Sequence, residues 1–282
     1  MKGKKGSALM SWASRVLLGS KNTYCLRYYA QRGHFPNLAH PSDLSEHLIA
    51  DLFSKDFLRF ADYADKVKVR AYVASKGLSN CLLKHYGVWD RPEDIDFDSL
   101  PDKFVLKANN GSGGHIICHN KSLLNKEEAI HKLKKSLYKG KHNIEPHYRQ
   151  IVPKVFCEEL IDTGSDEWPT DYKFTCIKGE ICDVFVAVER RTNVKYCTFD
   201  TSWNLLPYTK AAYLPDSLPP QPKHMQEMIE IAKILSADFK FVRVDLYEYK
   251  DQVYFSELTF SPWGALMYSY TDDAIKLLGL KL

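Results

Sequence analysis

Apolar and polar residues are spaced differently in the parts of the chain before and after about residue 100. The pattern over residues 8–90 predicts mainly helices. Within it, the segment 56–75 predicts a helix that starts at Asp65, whose carboxylate suits the N-cap position. The acidic residues 90–98 predict a surface connector, and from Pro101 onward short apolar runs of strand length predominate.

The first strand-rich segment predicts a small β-β-α-β unit. Residues 104–109 and 115–118 have the composition of strands, and the glycine-rich residues 109–114 between them predict a flexible turn. Residues 125–138 predict an amphipathic helix with Asn125 as N-cap, followed by a last strand over residues 155–161.

The second strand-rich segment predicts a larger unit that ends in a hairpin. Strands are predicted over residues 172–177 and 181–188, and a helix over residues 225–235. Two further β-rich runs, residues 241–247 and 253–260, flank a short polar turn and therefore predict two paired antiparallel strands.

Two acidic residues stand in the otherwise apolar strands of that hairpin. Asp245 and Glu257 are twelve residues apart, so the hairpin would place them on adjacent strands. A buried carboxylate is costly unless a positive group neutralises it. Carboxylate pairs are ligands for Mg²⁺, whose remaining ligands are often phosphate oxygens, so the pair indicates a nucleotide triphosphate site. The alternative is two acids that face solvent.

A lysine and a glycine-rich turn in the first unit also suit phosphate binding. Lys107 lies on the strand before the turn, and the backbone N–H groups of residues 110–114 could surround an anion because few side chains obstruct them. The turn matches neither the Walker pattern nor the dinucleotide-binding pattern. An ordinary β-turn beside a half-exposed lysine remains the alternative.

Composition and charge set broader limits. The 282 residues are 45% hydrophobic and 26% charged, which is typical of a soluble globular protein with two or three lobes. The net charge of +4 is small and dispersed, which argues against nucleic acid as a partner but is compatible with small phosphates. The seven cysteines form no C-x-x-C pair, so we expect reduced thiols, a cytoplasmic location and no structural zinc.

The first residues carry a basic, partly apolar segment. No apolar run approaches the length of a membrane-spanning helix. Residues 1–18 instead predict a short amphipathic helix that could contact an anionic membrane at its inner face. A helix packed on the protein itself, or a frayed end, is the alternative.

Four blocks of sequence, taken in order, resemble the TupA-like ATP-grasp family, which is associated with teichuronopeptide and other cell-surface polysaccharide biosynthesis. The resemblance covers residues 45–282 and implies an α+β ATP-grasp fold, in which two α+β lobes clasp ATP. Together with the spacing of apolar residues, it predicts a helical N-terminal region 1–100, a small lobe 101–162 and a large lobe 163–282, although the first 40 residues lie outside the resemblance. The blocks are residues 63–70, 100–113, 171–180 and 243–247 with 255–260.

The resemblance also implies roles for particular residues. The ATP-binding positions are Lys66, Lys107, Asn110, Gly111, Ser112, Gly113, Glu158, Glu159, Ile161 and Asp171. Three catalytic positions are implied: Lys173 and Arg190 would face the terminal phosphate, with Arg191 as an alternative to Arg190, and Arg243 would lie close to the metal carboxylates. The Mg²⁺ ligands would be Asp245, Glu257 and, more weakly, Thr259.

Some of these assignments have simpler alternatives. Glu158 and Glu159 could merely alternate on a strand, and Asp171 could cap a turn. Thr259 stands where many ATP-grasp enzymes carry asparagine, and Ser256 where glycine is more familiar. These departures leave the exact geometry of the metal site open.

The function implied by the resemblance is ATP-dependent ligation of a carboxylate to an amine through an acyl phosphate. The carboxylate would belong to a uronic acid or another glycan precursor, and the amine to an amino acid. ATP and Mg²⁺ are the implied cofactors. An ATP-grasp kinase that phosphorylates a sugar hydroxyl is the first alternative, and a non-catalytic component of glycan assembly is the second.

Overall fold

The computed structural model describes residues 19–164, 168–189 and 193–282. Two of the residues with predicted roles, Arg190 and its alternative Arg191, lie outside this part of the chain, as do the basic residues 1–18.

The N-terminal region is helical, as the spacing of apolar residues predicts. Helix α1 runs through residues 19–32, followed by α2 (Leu44–Leu52), α3 (Ala61–Ala64) and α4 (Val69–Ser75). Helix α2 begins after Asp43, whose side chain accepts a hydrogen bond from the backbone N–H of the third helical residue, as N-cap residues do. These helices pack on the core of the larger sheet.

Helix α4 begins later than the sequence predicts. Asp65 does cap this part of the chain, because its Oδ1 accepts from the backbone N–H of Val67 at 2.8 Å and of Lys68 at 3.3 Å. The residues that follow form a turn, and regular helix starts only at Val69. The turn holds Lys66, whose backbone N–H donates to the carbonyl of Asn109 in the glycine-rich segment at 3.3 Å.

The smaller sheet has four antiparallel strands in the order β1-β4-β2-β3. They are β1 (His85–Trp89), β2 (Phe104–Ala108), β3 (Ile116–Cys118) and β4 (Val155–Glu158). Helix α5 (Lys126–Lys141) packs against β2 and β3, and Asn125 is its N-cap, as predicted.

Strand β1 falls in the region that was predicted to be mainly helical. It pairs with β4 and contains a register shift between His85 and Gly87. None of its residues is fully buried. The strand therefore lacks the alternation of buried apolar and exposed polar residues that marks a half-buried strand. The prediction of helix up to residue 90 was therefore wrong at this strand.

The larger sheet has five antiparallel strands in the order β7-β6-β5-β8-β9. They are β5 (Asp171–Ile177), β6 (Glu180–Val188), β7 (Lys195–Phe199), β8 (Phe241–Tyr249) and β9 (Gln252–Thr259). All but β7 coincide with predicted strands.

Two more helices complete the larger lobe. Helix α6 (Met225–Ser236) packs against β5, β6 and β8, and helix α7 (Asp272–Gly279) packs against α2. Among the described helices none is long and apolar enough to cross a membrane.

The hairpin of β8 and β9 forms as predicted. Its two turn residues, Lys250 and Asp251, both have positive φ (47° and 58°), which gives the tight turn that matches the strand twist. Asp245 pairs with Glu257, while Leu246 pairs with Phe255. Ser256 is therefore the extra residue of a β-bulge, a feature that redirects the side chains beside it.

Two separate hydrophobic clusters underlie the two sheets. The larger one contains the interior of the five-stranded sheet together with side chains of α1–α4, α6 and α7. The smaller one lies between the four-stranded sheet and α5. Two cores with a cleft between them are the arrangement that the ATP-grasp resemblance implies. All seven cysteines are free thiols.

Candidate active site

A cleft of about 670 Å³ lies between the two sheets. It is lined by ten of the sixteen residues for which the sequence predicts a role. They are Lys66, Lys107, Ser112, Gly113, Glu158, Glu159, Ile161, Asp171, Lys173 and Glu257.

Lys66 connects three parts of the cleft. Its Nζ donates to the carbonyl oxygen of Gly111 at 2.8 Å and forms an ion pair with Glu257 Oε2 at 3.0 Å. The side chain is only 10% exposed, so its charge is paired in a partly desolvated place. The turn before α4 thus presents a cation to both the glycine-rich segment and the β8–β9 hairpin.

Lys107 on β2 forms an ion pair with Glu158 on the neighbouring strand β4. Both side chains are largely buried. His85 stands 3.9 Å from the other oxygen of Glu158, but burial, with Arg70 nearby, lowers the pKa of His85 to about 4. The histidine is therefore neutral near pH 7, and Lys107 is the cation that the carboxylate holds in place.

The outer end of the cleft is apolar. Ile161 is buried beyond β4, and Leu83, Val105 and Ile117 line the same cavity. Glu159 follows β4 with an exposed side chain, and its backbone N–H donates to the carbonyl of the residue before β1 at 2.9 Å. Among these apolar residues a role in the site was predicted only for Ile161. A role for Val105 could also have been predicted, because it stands two residues before Lys107 and its side chain therefore lies on the same face of β2.

Lys173 lies between two carboxylates of the larger sheet. Its Nζ pairs with Asp171 on the same strand and with Asp245 Oδ2 on β8 at 2.7 Å. Asp171 and Lys173 are two residues apart on β5, so both side chains project from the same face, toward the cleft.

Arg243 holds Asp245 by two parallel hydrogen bonds. Its Nε donates to Oδ1 at 2.7 Å and its Nη2 to Oδ2 at 2.6 Å. Burial raises the pKa of the Asp245 carboxyl, and the charges of Arg243 and Lys173 oppose that effect. Three charge-assisted hydrogen bonds to the two oxygens favour the ionised carboxylate.

Glu257 is the more open of the two hairpin carboxylates. Its side chain is 26% exposed and lines the cleft, whereas the Asp245 side chain is 1% exposed and lies behind Lys173. Burial alone would raise the pKa of Glu257, but Lys66, Lys173 and Arg243 together hold it well below its usual value. Glu257 is therefore an anion at any physiological pH.

The donor set fits a magnesium ion that is also bound to phosphates. The hairpin places Asp245 directly opposite Glu257, and carboxylate oxygens are the ligands that Mg²⁺ prefers. Thr259 is tied to this pair, because its hydroxyl accepts from Arg243 at 3.2 Å and donates to Glu257 at 3.3 Å. Within the described residues no group of three or more His, Cys, Asp or Glu side chains could hold a metal by itself.

The glycine-rich turn divides into an anchored and an open part. Asn110 is fully buried, and its amide donates to the carbonyl of Leu137 on α5 at 3.2 Å. Ser112 and Gly113 are exposed and line the cleft. Gly113 has φ of 74°, a conformation that favours glycine. Asn110 thus fixes the turn to α5 and leaves its tip above the cleft.

One residue that supports the site was given no role from the sequence. Asn109 is fully buried and donates to Asp65 Oδ2 and to the carbonyl of Val152, each at 3.0 Å. Its own side-chain oxygen accepts from the backbone N–H of Lys154 at 2.8 Å. Asn109 therefore joins the turn of Lys66 to the glycine-rich segment. Its sequence neighbourhood suggested only a turn.

A comparison with models of protein families identifies the family and the fold. The model of the family described as TupA-like ATP-grasp matches residues 48–282. This chain belongs to the TupA-like ATP-grasp family. Membership confirms the predicted family and the predicted α+β ATP-grasp fold.

Solved structures similar to this TupA-like chain include D-alanine–D-alanine ligase from Helicobacter pylori, at 15% identity and a TM-score of 0.43. That match covers 78% of this chain, which spans 60% of the ligase. D-cycloserine synthetase DcsG matches at 14% identity and a TM-score of 0.48, over 84% of this chain and 78% of DcsG. ATP-grasp ligase PsnB, complexed with a minimal precursor, matches at 13% and 0.39, over 72% of this chain and 54% of PsnB. No curated protein is detectably similar in sequence.

Proposed function

We propose that this TupA-like protein is an ATP-dependent carboxylate–amine ligase that forms an acyl phosphate intermediate. The observation that carries the proposal is the convergence of Lys66, Lys107 and Lys173 with Glu257 on one cleft between the two lobes. Three ammonium groups and a carboxylate that can hold Mg²⁺ are what a bound triphosphate requires.

The shape of the cleft suggests how ATP would lie in it. The apolar end with Val105 and Ile161 suits the adenine, and backbone groups near Glu159 suit its polar edge. Asp171 would accept hydrogen bonds from the ribose hydroxyls, because a carboxylate offers only acceptors. The triphosphate would then run beneath the tip of the glycine-rich turn toward Lys66.

Asp245 and Glu257 are the groups we propose to hold Mg²⁺, with Thr259 as a weak ligand or a support. When bound, the ion would neutralise phosphate charge and orient the terminal phosphoryl group. The chain's own cations act beside it: Lys173 and Arg243 are fixed by Asp245 and need no reorganisation when the phosphoryl charge shifts.

The reaction has two steps. An oxygen of the substrate carboxylate attacks the γ-phosphorus of ATP, the bond to the bridging oxygen breaks, and ADP leaves. The nitrogen of the amine then attacks the carbonyl carbon of the acyl phosphate, and inorganic phosphate leaves with the electron pair of its C–O bond. The protein contributes position and charge, and the cleft excludes water from the labile intermediate.

The substrates we propose are a uronic-acid carboxylate of a glycan precursor and the amine of an amino acid. Support for this choice comes from the association of the family with surface polysaccharides, which is an argument by analogy. A cytoplasmic location agrees with the free thiols. We also propose peripheral membrane contact through residues 1–18, which flotation with anionic vesicles of the whole chain and of a chain lacking these residues would test.

The test of the function is an ADP-release screen that crosses uronic acids and their nucleotide-linked forms with the common amino acids. Ligation predicts release of ADP and inorganic phosphate only when a carboxylate and an amine are both present. ADP without free phosphate, together with a stable phosphorylated sugar, would show a kinase instead. Failure to bind Mg·ATP at all would contradict both activities.

A further inference from the structure

A second cluster of polar side chains lies beside the proposed ATP site, at the end of β9. Ser261, two residues after Thr259, donates its hydroxyl to a carboxylate oxygen of Glu145. Glu145 comes from the segment between α5 and β4, and helix α1 contributes Tyr24. Three separate parts of the chain thus meet around one acid that the proposed ATP site does not use.

Tyr24 adds to this cluster a buried hydroxyl group for which the described residues provide no hydrogen-bond partner. The residue is fully buried, and within the described part of the chain its hydroxyl has no hydrogen-bond partner. A Cβ atom added to Gly264 would stand 3.1 Å from this hydroxyl. Burial raises the pKa of Tyr24 well above its usual value, and the carboxylate of Glu145 raises it further. A buried hydroxyl without a partner indicates that a ligand could supply one.

The hydroxyl of Tyr148 is influenced by charges of this cluster and of the proposed metal carboxylates. Burial raises the pKa of its hydroxyl, and the negative charges of Glu145 and Glu257 add to that effect. Arg243 acts on the same hydroxyl in the opposite direction. The geometric link between the cluster and the proposed metal carboxylates is Ser261, which donates to Glu145 and follows Thr259 by two residues.

The loop after β9 is held in an unusual conformation at this point. Four of its five residues from Trp263 to Met267 have positive φ, and only one of these four is glycine. Gln31 of α1 holds the loop through a 3.2 Å hydrogen bond to the carbonyl of Leu266, and the Trp263 ring lies 5.5 Å from the Arg243 guanidinium. Such conformations persist where their surroundings enforce them, and they concentrate at functional sites.

We propose that Glu145 binds the ammonium group of the amine substrate and accepts its proton, with the Tyr24 hydroxyl as a second acceptor. The inference rests on the proposed ligase function and assigns its second substrate a place. It also gives a role to α1, which lies outside the residues matched by the family.

The proton balance of the second step requires such a group. An ammonium nitrogen has no free electron pair, so it must lose a proton before it can attack the acyl phosphate. The Glu145 carboxylate takes that proton, the nitrogen forms the C–N bond, and the phosphate leaves with the electrons of the broken C–O bond. The second proton on nitrogen is lost to the departing phosphate or to water.

The surroundings of Glu145 suit a base that works near neutrality. Burial raises the pKa of this carboxyl to about 7, while its hydrogen bonds with Ser261 and Asn143 and the charge of Arg27 act in the opposite direction. The other titratable groups that face it are Tyr24 and Tyr148. As a whole residue Glu145 is only partly buried.

The test is calorimetric binding of amines to the whole protein, with and without Mg·AMPPNP. The probes are the common amino acids, ethanolamine and putrescine, each measured near pH 8 and pH 6. At least one amine should bind the wild type, more weakly near pH 6 because Glu145 is then protonated. Glu145→Gln, which keeps an oxygen for Ser261, should weaken that amine at least about tenfold and abolish its pH dependence.

The control is Asp183→Asn, an acid on β6 of the larger sheet whose pKa is also raised to about 7 by burial and which accepts a hydrogen bond from Tyr270. It should leave amine binding unchanged. The inference is overturned if no amine binds the wild type, or if Glu145→Gln binds the same amine equally well. AMPPNP binding is read separately, so a failure of the proposed ATP site is distinguishable from a failure of Glu145.

Discussion

At the scale of residues, the cleft holds its cations in place before any nucleotide arrives. Lys107 is paired with Glu158, and Lys66 with Glu257. Fixed charges in a partly dry site stabilise a developing negative charge without the cost of reorienting at the moment of reaction. The same pairing makes each residue hard to replace, because the loss of one partner leaves the other charge buried and unpaired.

Replacing Glu257 by glutamine should abolish turnover while the protein stays folded. The amide keeps the shape of the side chain but removes the charge proposed to hold Mg²⁺, so we expect a loss of at least about a hundredfold in kcat. ADP release measures the effect, with Glu180→Gln at an exposed position of β6 as the control. Full activity of Glu257→Gln would remove the metal assignment.

Asp183 should make stability depend on pH in an unusual direction. Burial raises the pKa of its carboxyl to about 7, above the value in the unfolded chain. Between roughly pH 4 and pH 7 the folded state therefore binds more protons, and stability falls as the pH rises, by an amount on the order of a few kcal/mol. Asp183→Asn stays neutral and should lose less stability between pH 5 and pH 8.

Melting temperatures of both proteins at the two pH values measure this difference. The asparagine oxygen can still accept from the Tyr270 hydroxyl, which donates to Asp183 Oδ1 at 3.0 Å. Equal pH dependence of the wild type and Asp183→Asn would show that the carboxyl is ionised in the folded protein at neutral pH.

At the scale of elements, we expect the contact between α5 and the glycine-rich turn to affect both stability and the proposed binding of nucleotide. Gly140 lies where Asn110 crosses the helix, and an added Cβ would stand 2.2 Å from the Asn110 carbonyl oxygen. Real structures do not tolerate such an approach, so the turn or the helix must shift.

Gly140→Ala should therefore destabilise the protein by about 1–3 kcal/mol, even though alanine favours helix. It should also raise the KM for ATP, because Asn110 anchors the turn that carries Ser112. Chemical denaturation and ADP release measure the two effects. Lys135→Ala, at an exposed position of the same helix, should change neither, and an unaltered Gly140→Ala protein would contradict the close contact.

Some of the elements could be predicted from the sequence alone and others could not. The β8–β9 hairpin was predictable because two apolar runs flank a short polar turn, and its two acids stand out against apolar neighbours. Strand β1 was not predictable, because its partly exposed residues do not alternate between buried and exposed positions. The proposed role of Glu145 could not be predicted either, since its hydrogen-bond partner Ser261 lies in the loop after β9, far away in the sequence.

At the scale of the whole molecule, Lys66 joins parts that belong to different cores. It reaches from the helical region to the glycine-rich turn of the small lobe and to the hairpin of the large lobe. A nucleotide that binds this lysine therefore favours the closed arrangement of both lobes, and it stabilises the folded state by mass action.

Saturating Mg·AMPPNP should raise the melting temperature of the wild type, by an amount equivalent to about 3 kcal/mol at a hundredfold excess over Kd. Lys66→Met should lose most of this rise. Lys68→Met, two residues away with an exposed side chain paired to Asp62, should keep it. Equal shifts in the two variants would exclude Lys66 from the nucleotide site.

The segments that lead into and out of the small sheet lie next to each other. The chain enters the small sheet after Lys84 and leaves it at Glu159, where the backbone N–H of Glu159 donates to the carbonyl of Lys84 at 2.9 Å. A second tie lies between α5 and β4, where Glu145 accepts a hydrogen bond from Ser261 of the larger lobe. Opening of the cleft to release products therefore has to stretch one of these two connections.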